Sequence, residues 1–148
     1  VRGSLVPEAA TSLDARLADI DTARKSDNRA DLAIAAVEGY RTLVSSGAAG
    51  AKVPVAVKLL DYAGFRYDAD LKARPTRWAD MTQAAAFGRE QWATISSQVT
   101  DTVLRATMDK ALTEMADGAS KQDAAVGSAA AQRELALVDD LEKFFGNR

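Results

Sequence analysis

The stretch 76–97, TRWADMTQAAAFGREQWATISS, decides the fold class. Trp78, Met81, Ala85, Gly88, Trp92 and Ile95 recur every three or four positions, and Val99 extends the row. Side chains at that spacing stand on one face of an α-helix, so this face is read as the core side of an amphipathic helix. The residues between them, such as Asp80, Gln83 and Glu90, suit a solvated face.

The same period continues in both directions. Downstream, Thr100 or Asp101 can cap a fifth helical segment that buries Leu104, Met108, Ala111, Leu112 and Met115, with Gly118 as its stop. Ser120 and Asp123 resemble a capping box for a last segment carrying Leu135, Val138, Leu141 and Phe145. The early part of that segment, 124–131, is rich in alanine and has small side chains; it either allows close backbone approach or frays. Upstream, a third segment starts near Pro54 and ends before Pro75. Its apolar residues do not keep to one side, which predicts a helix buried on most faces. A second segment, capped by Asn28 with Asp31 three residues on, runs to about Ser46 and presents Leu32, Ala33, Ala36, Val37, Tyr40, Leu43 and Val44 on one face. The first runs from Pro7 to Lys25 with a narrow stripe of Ala9, Leu13, Leu17 and Ile20; Pro7 suits a first helical position. Ser45 to Gly50 reads as a linker.

Composition agrees with this. Alanine, the best helix former, supplies roughly a fifth of the chain. Short connections between long amphipathic segments favour antiparallel neighbours. The expectation is an all-α, up-down antiparallel helical bundle with four main helices plus one or two shorter segments. It forms a single domain over 1–148, of which 1–6 is flexible or tag-derived.

The chain has 148 residues, a formal net charge of −2, no Cys and no His. The charge argues against a nucleic-acid binder, which needs excess Lys and Arg on one face. No run is long and apolar enough for a transmembrane segment. Without Cys and His there are no disulfides, no Cys/His zinc or haem sites, and no Ser-His-Asp or Cys-His pairs. Lack of Cys favours a periplasmic or secreted location over the cytoplasm, although no signal sequence is visible. There is no phosphate-binding glycine loop, so no nucleotide site is indicated. Asp68-Ala69-Asp70 begins like a calcium loop, but Lys72, Ala73 and Ala79 stand where oxygen ligands or glycine are required.

Polar side chains on apolar faces remain. Glu134 points between Leu141 and Phe145 on the wheel of the last segment. A lone buried carboxylate is costly unless it is paired, protonated or bound to a cation. Arg89, Arg105 and Lys110 are possible partners. Asp61 lies in the segment that reads as buried on most sides, with Lys58 one turn before it. Tyr40 sits mid-face on the second segment, and Tyr62 flanks Asp61; each buried phenol needs a partner for its hydroxyl. Glu38 falls outside the apolar arc and reads as solvated.

These residues frame two expectations. One is a non-catalytic bundle that binds a hard cation (iron, manganese or calcium) through Asp61, Glu134, Tyr62, Tyr40 and Glu38, since oxygen donors suit such ions. The other is a protein-interaction or structural module acting through an aromatic face at Tyr62 and Phe65 or through a homodimer contact. Catalysis is disfavoured, because no nucleophile–base pair is present.

Overall fold

A computed structural model describes residues 7–25, 28–46 and 51–147. The expectations for 1–6 and for most of the linker, 47–50, lie outside the described residues. Among the described residues six α-helices follow one another: α1 (Pro7–Lys25), α2 (Arg29–Ser45), α3 (Val55–Lys72), α4 (Trp78–Ile95), α5 (Thr102–Ser120) and α6 (Ala124–Gly146), with a 3-10 turn at Ser96–Gln98. There is no strand among the described residues.

The helices begin where side chains can satisfy their free N–H groups. Asn28 accepts from the backbone of Ala30 and Asp31, Asp101 from Val103 and Leu104, and Asp123 from Ala125 and Val126. The Ser120 hydroxyl takes no part in the last cap and donates to the Asp117 carbonyl instead. Nor does Gly118 stop α5, which continues to Ser120. The stop comes at Gln122, whose φ of 53° is left-handed. The N–H groups of Gln122 and Asp123 then turn back onto the carbonyls of Ala119 and Gly118, the geometry of a Schellman end.

Helices α3, α4, α5 and α6 each pack on the next, and α6 closes back on α3. Cross-helix pairs run in opposite directions along each seam: Arg66 with Asp80 and Tyr62 with Phe87 between α3 and α4, Arg89 with Thr113 and Trp92 with Asp109 between α4 and α5. This is the up-down arrangement. The principal apolar cluster fills its centre with Leu60, Tyr67, Met81, Trp92, Met108, Leu112, Met115 and Leu141 among others. Burying such side chains contributes about 1.5–3 kcal/mol each.

Gly118 has a packing role rather than a stop role. A Cβ there would sit 2.7 Å from the Gly127 backbone, and a Cβ on Gly127 would meet the Tyr67 hydroxyl at 2.6 Å. The alanine- and glycine-rich start of α6 therefore lets α5 and α6 approach closely. Tyr67 fills the space, and its hydroxyl donates to the Met115 carbonyl at 2.8 Å. Helices α1 and α2 pack on each other, and α2 lies along α3. Helix α3 thus touches α2, α4 and α6, which accounts for its lack of a single apolar face.

Candidate functional site

The α3–α6 seam carries the first polar group. Glu134 is 0% exposed, and neither of its carboxylate oxygens has a hydrogen-bond partner. Arg89, Arg105 and Lys110 are not its partners. It fits because Gly64 faces it: a Cβ at that position would fall 2.2 Å from Glu134 Oε2. Burial pushes the Glu134 carboxyl well above the usual range, and the charge of Asp61 pushes it further. Asp61 is half-buried on α3, and its Oδ2 accepts a hydrogen bond from the Tyr40 hydroxyl at 3.4 Å. Its carboxyl is pushed up to about 6, first by burial, then by Glu142 and Asp139, against the opposing effect of the Tyr40 bond. Tyr40 is raised to about 12 by its own burial and by Asp61. Tyr40 is thus bonded to Asp61, and Asp61 feels the charges of Glu142 and Asp139 and adds its own at Glu134. The pairing of Asp61 with Lys58 does not occur among the described ion pairs.

The second group lies on the other flank of α3, toward α4. Arg66 is its hub. Its Nη1 donates to Glu38 Oε1 at 2.6 Å, its Nε to Asp70 Oδ2 at 2.7 Å, and its Nη2 reaches Asp80 Oδ2 at 3.4 Å. Burial opposes the charge on Arg66, but Asp70 and Glu38 together hold it above its ordinary range. Asp70 is 0% exposed, and its second oxygen, Oδ1, is unpaired. Burial lifts its carboxyl despite the adjacent guanidinium. The Tyr62 hydroxyl donates to Glu38 Oε1 at 2.8 Å, and Arg41 Nη1 donates to that hydroxyl at 3.5 Å. Burial and then Glu38 raise the Tyr62 phenol.

The five residues singled out in the sequence therefore divide. Tyr40 is bonded to Asp61, whose charge acts on Glu134, whereas Glu38 and Tyr62 belong to the Arg66 network on the α4 side. Glu38 is not a solvated surface acid, because α3 supplies it with a guanidinium and a phenol. The exposed aromatic strip also divides: Tyr62 is buried edge-on against Phe87, whereas Phe65 stays 43% exposed and packs edge-on against Tyr40. Asp70 and Arg66 were missed in the sequence. Their four-residue spacing was the available signal. No group of three or more acidic side chains is arranged as a metal site among the described residues. No helix of the described residues is long and apolar enough to cross a membrane. Comparison of the chain with protein-family models, curated proteins and solved structures found no match.

Proposed function

We propose that the chain is a non-catalytic helical-bundle binding protein that takes a hard metal cation at the α3–α6 seam. Asp61 and Glu134 would be the anionic ligands and Tyr40 a neutral third oxygen. The observation that carries this reading is Glu134, a fully buried carboxyl with two unpaired oxygens, set beside a second carboxyl of raised pKa. Such a pair is stable when protonated, and an incoming cation would displace the proton and pair the charge. Two carboxylates and a phenol do not fill a coordination shell, so water would supply the remainder. That suits manganese, calcium or ferric iron better than zinc or copper.

The test is elemental analysis followed by calorimetric titration with manganese, calcium and ferric ions in two buffers of different ionisation enthalpy. The reading expects near-stoichiometric binding with proton release, lost in Glu134→Gln and in Asp61→Asn. Equal binding by the wild type and the double variant would refute it.

A second reading rests on Phe65. This large apolar side chain is left exposed on the central helix, which favours contact with a partner or with a second copy of the chain. Sedimentation of the wild type and Phe65→Ser at micromolar concentration separates the two readings. A wild-type dimer that dissociates in the variant supports the contact, and identical monomers refute the homodimer.

A further inference from the structure

Helices α2, α3 and α4 enclose a cleft of about 420 Å³ on the flank of α3 away from Glu134. That volume lies within the range of small-molecule sites, roughly 300–1,000 Å³. Its wall holds two aromatic rings at right angles, Tyr62 and Phe87, with centroids 5.3 Å apart. The guanidinium of Arg41 lies over both rings, its Cζ 5.1 Å from the Tyr62 centroid and 4.9 Å from the Phe87 centroid. Ring faces attract cations, and the attraction grows where water is excluded.

The acidic lining exceeds what the local arginines neutralise. Glu38, Asp80 and Glu90 all border the cleft. Arg66 engages Glu38 and Asp80 but also the buried Asp70 behind them. Glu90 has no ion pair among the described residues. Arg41 is held by the rings and by the 3.5 Å contact to the Tyr62 hydroxyl, and its side chain is exposed. The Tyr62 ring itself is buried and hydrogen-bonded to Glu38, whereas Arg41 stands at the surface.

We propose that this cleft is a binding site for a small organic cation carrying a guanidinium or alkylammonium group, with Arg41 as the internal side chain that covers the two rings until such a ligand displaces it. The ligand's cationic head would take the place of the Arg41 guanidinium against Tyr62 and Phe87. Its charge would be met by Glu90 and Asp80. The inference is independent of the metal reading, because the two sites lie on opposite flanks of α3 and share no ligand.

The experiment is a titration of the full chain with agmatine, free of added metal, followed by amide chemical shifts. The expected result is saturable change confined to residues around Arg41, Tyr62 and Phe87. Arg41→Ala should bind about tenfold tighter, the size of one partly desolvated cation–π contact. Adding Phe87→Ala to that variant should reverse the gain, and the same spectra report whether each variant is folded. Arg41→Gln, which keeps much of the stem, guards against a packing effect and should also bind tighter. Absence of saturable change in both the wild type and Arg41→Ala would overturn the proposal. So would weaker binding in Arg41→Ala, or a preference for phosphate over agmatine, which would make Arg41 an anion contact.

Discussion

The α3–α6 bundle and the α1–α2 hairpin are built from helices of similar length but are held in different ways. Among the described residues, every member of the principal apolar cluster comes from α3–α6 or the segments joining them, and none comes from α1 or α2. The hairpin meets α3 and α4 through polar contacts, Tyr40 to Asp61, Glu38 to Tyr62 and Arg66, and Asp31 to Arg77, and through the ring contacts of Tyr40 with Phe65 and of Arg41 with Tyr62 and Phe87. Buried apolar area is non-directional and additive over many atoms, whereas a polar contact nets about 1 kcal/mol, or about 1.5–3 kcal/mol where it engages a charged group away from water. The largest apolar contribution therefore resides in the bundle, and the hairpin adds a smaller apolar contact and a set of directional ones. Both candidate sites lie where these two parts meet.

Arg66→Ala is the harshest way to break this contrast, because it strips both regions at once. It leaves Asp70 buried without its cation and frees Glu38, at a cost of about 3 kcal/mol, read as a fall in the urea midpoint. Glu38→Gln sharpens the comparison instead. It should raise amide hydrogen exchange in α2 while leaving α4, α5 and α6 protected. Equal loosening in both regions would mean that the hairpin and the bundle unfold as one unit.

Glycine provides the next contrast. Gly118→Ala drives a Cβ into the Gly127 backbone, which cannot move without separating α5 from α6, and should cost about 2 kcal/mol. Gly39→Ala on α2 meets Ile20 Cδ1 at 3.7 Å, an ordinary contact. There the gain in helix propensity should dominate and stabilise by about 0.5–1 kcal/mol. Thermal melts of the two variants should move in opposite directions.

Sequence periodicity located every helix within a few residues, and it placed Glu134 in the core arc, because both depend on local spacing. The caps at Asn28 and Asp101 were legible for the same reason, whereas the last cap is Asp123 itself and not Ser120 three residues before it. Gly118 was misread because a glycine near a helix end suggests a stop, while its actual partner, Gly127, lies across a helix pair whose register no local pattern encodes. Glu38 was misread because its partners come from α3. Asp70 was passed over once the calcium loop failed, although Arg66 stood one turn before it.

The pH dependence tests the seam more finely. Asp61 and Glu134 both have raised carboxyl pKa values in the folded state, so the folded chain binds more protons than the unfolded one above their ordinary values. Their contribution is fully present at low pH. For Asp61 it is lost between about pH 3.8 and about 6, and for Glu134 it is lost above its ordinary value of 4.5. Relative to the wild type, Asp61→Asn/Glu134→Gln should gain stability progressively as the pH rises through this window. A constant difference between the two proteins would show that neither carboxyl titrates abnormally.

The most direct test of the seam is carboxyl carbon NMR of the glutamate-labelled protein, with Glu134 assigned through Glu134→Gln. The account predicts that the Glu134 carboxyl keeps its proton at a pH where the exposed glutamates have lost theirs, and that it ionises when calcium is added. A Glu134 signal that titrates with the exposed glutamates, or one that stays protonated at saturating calcium, would contradict it.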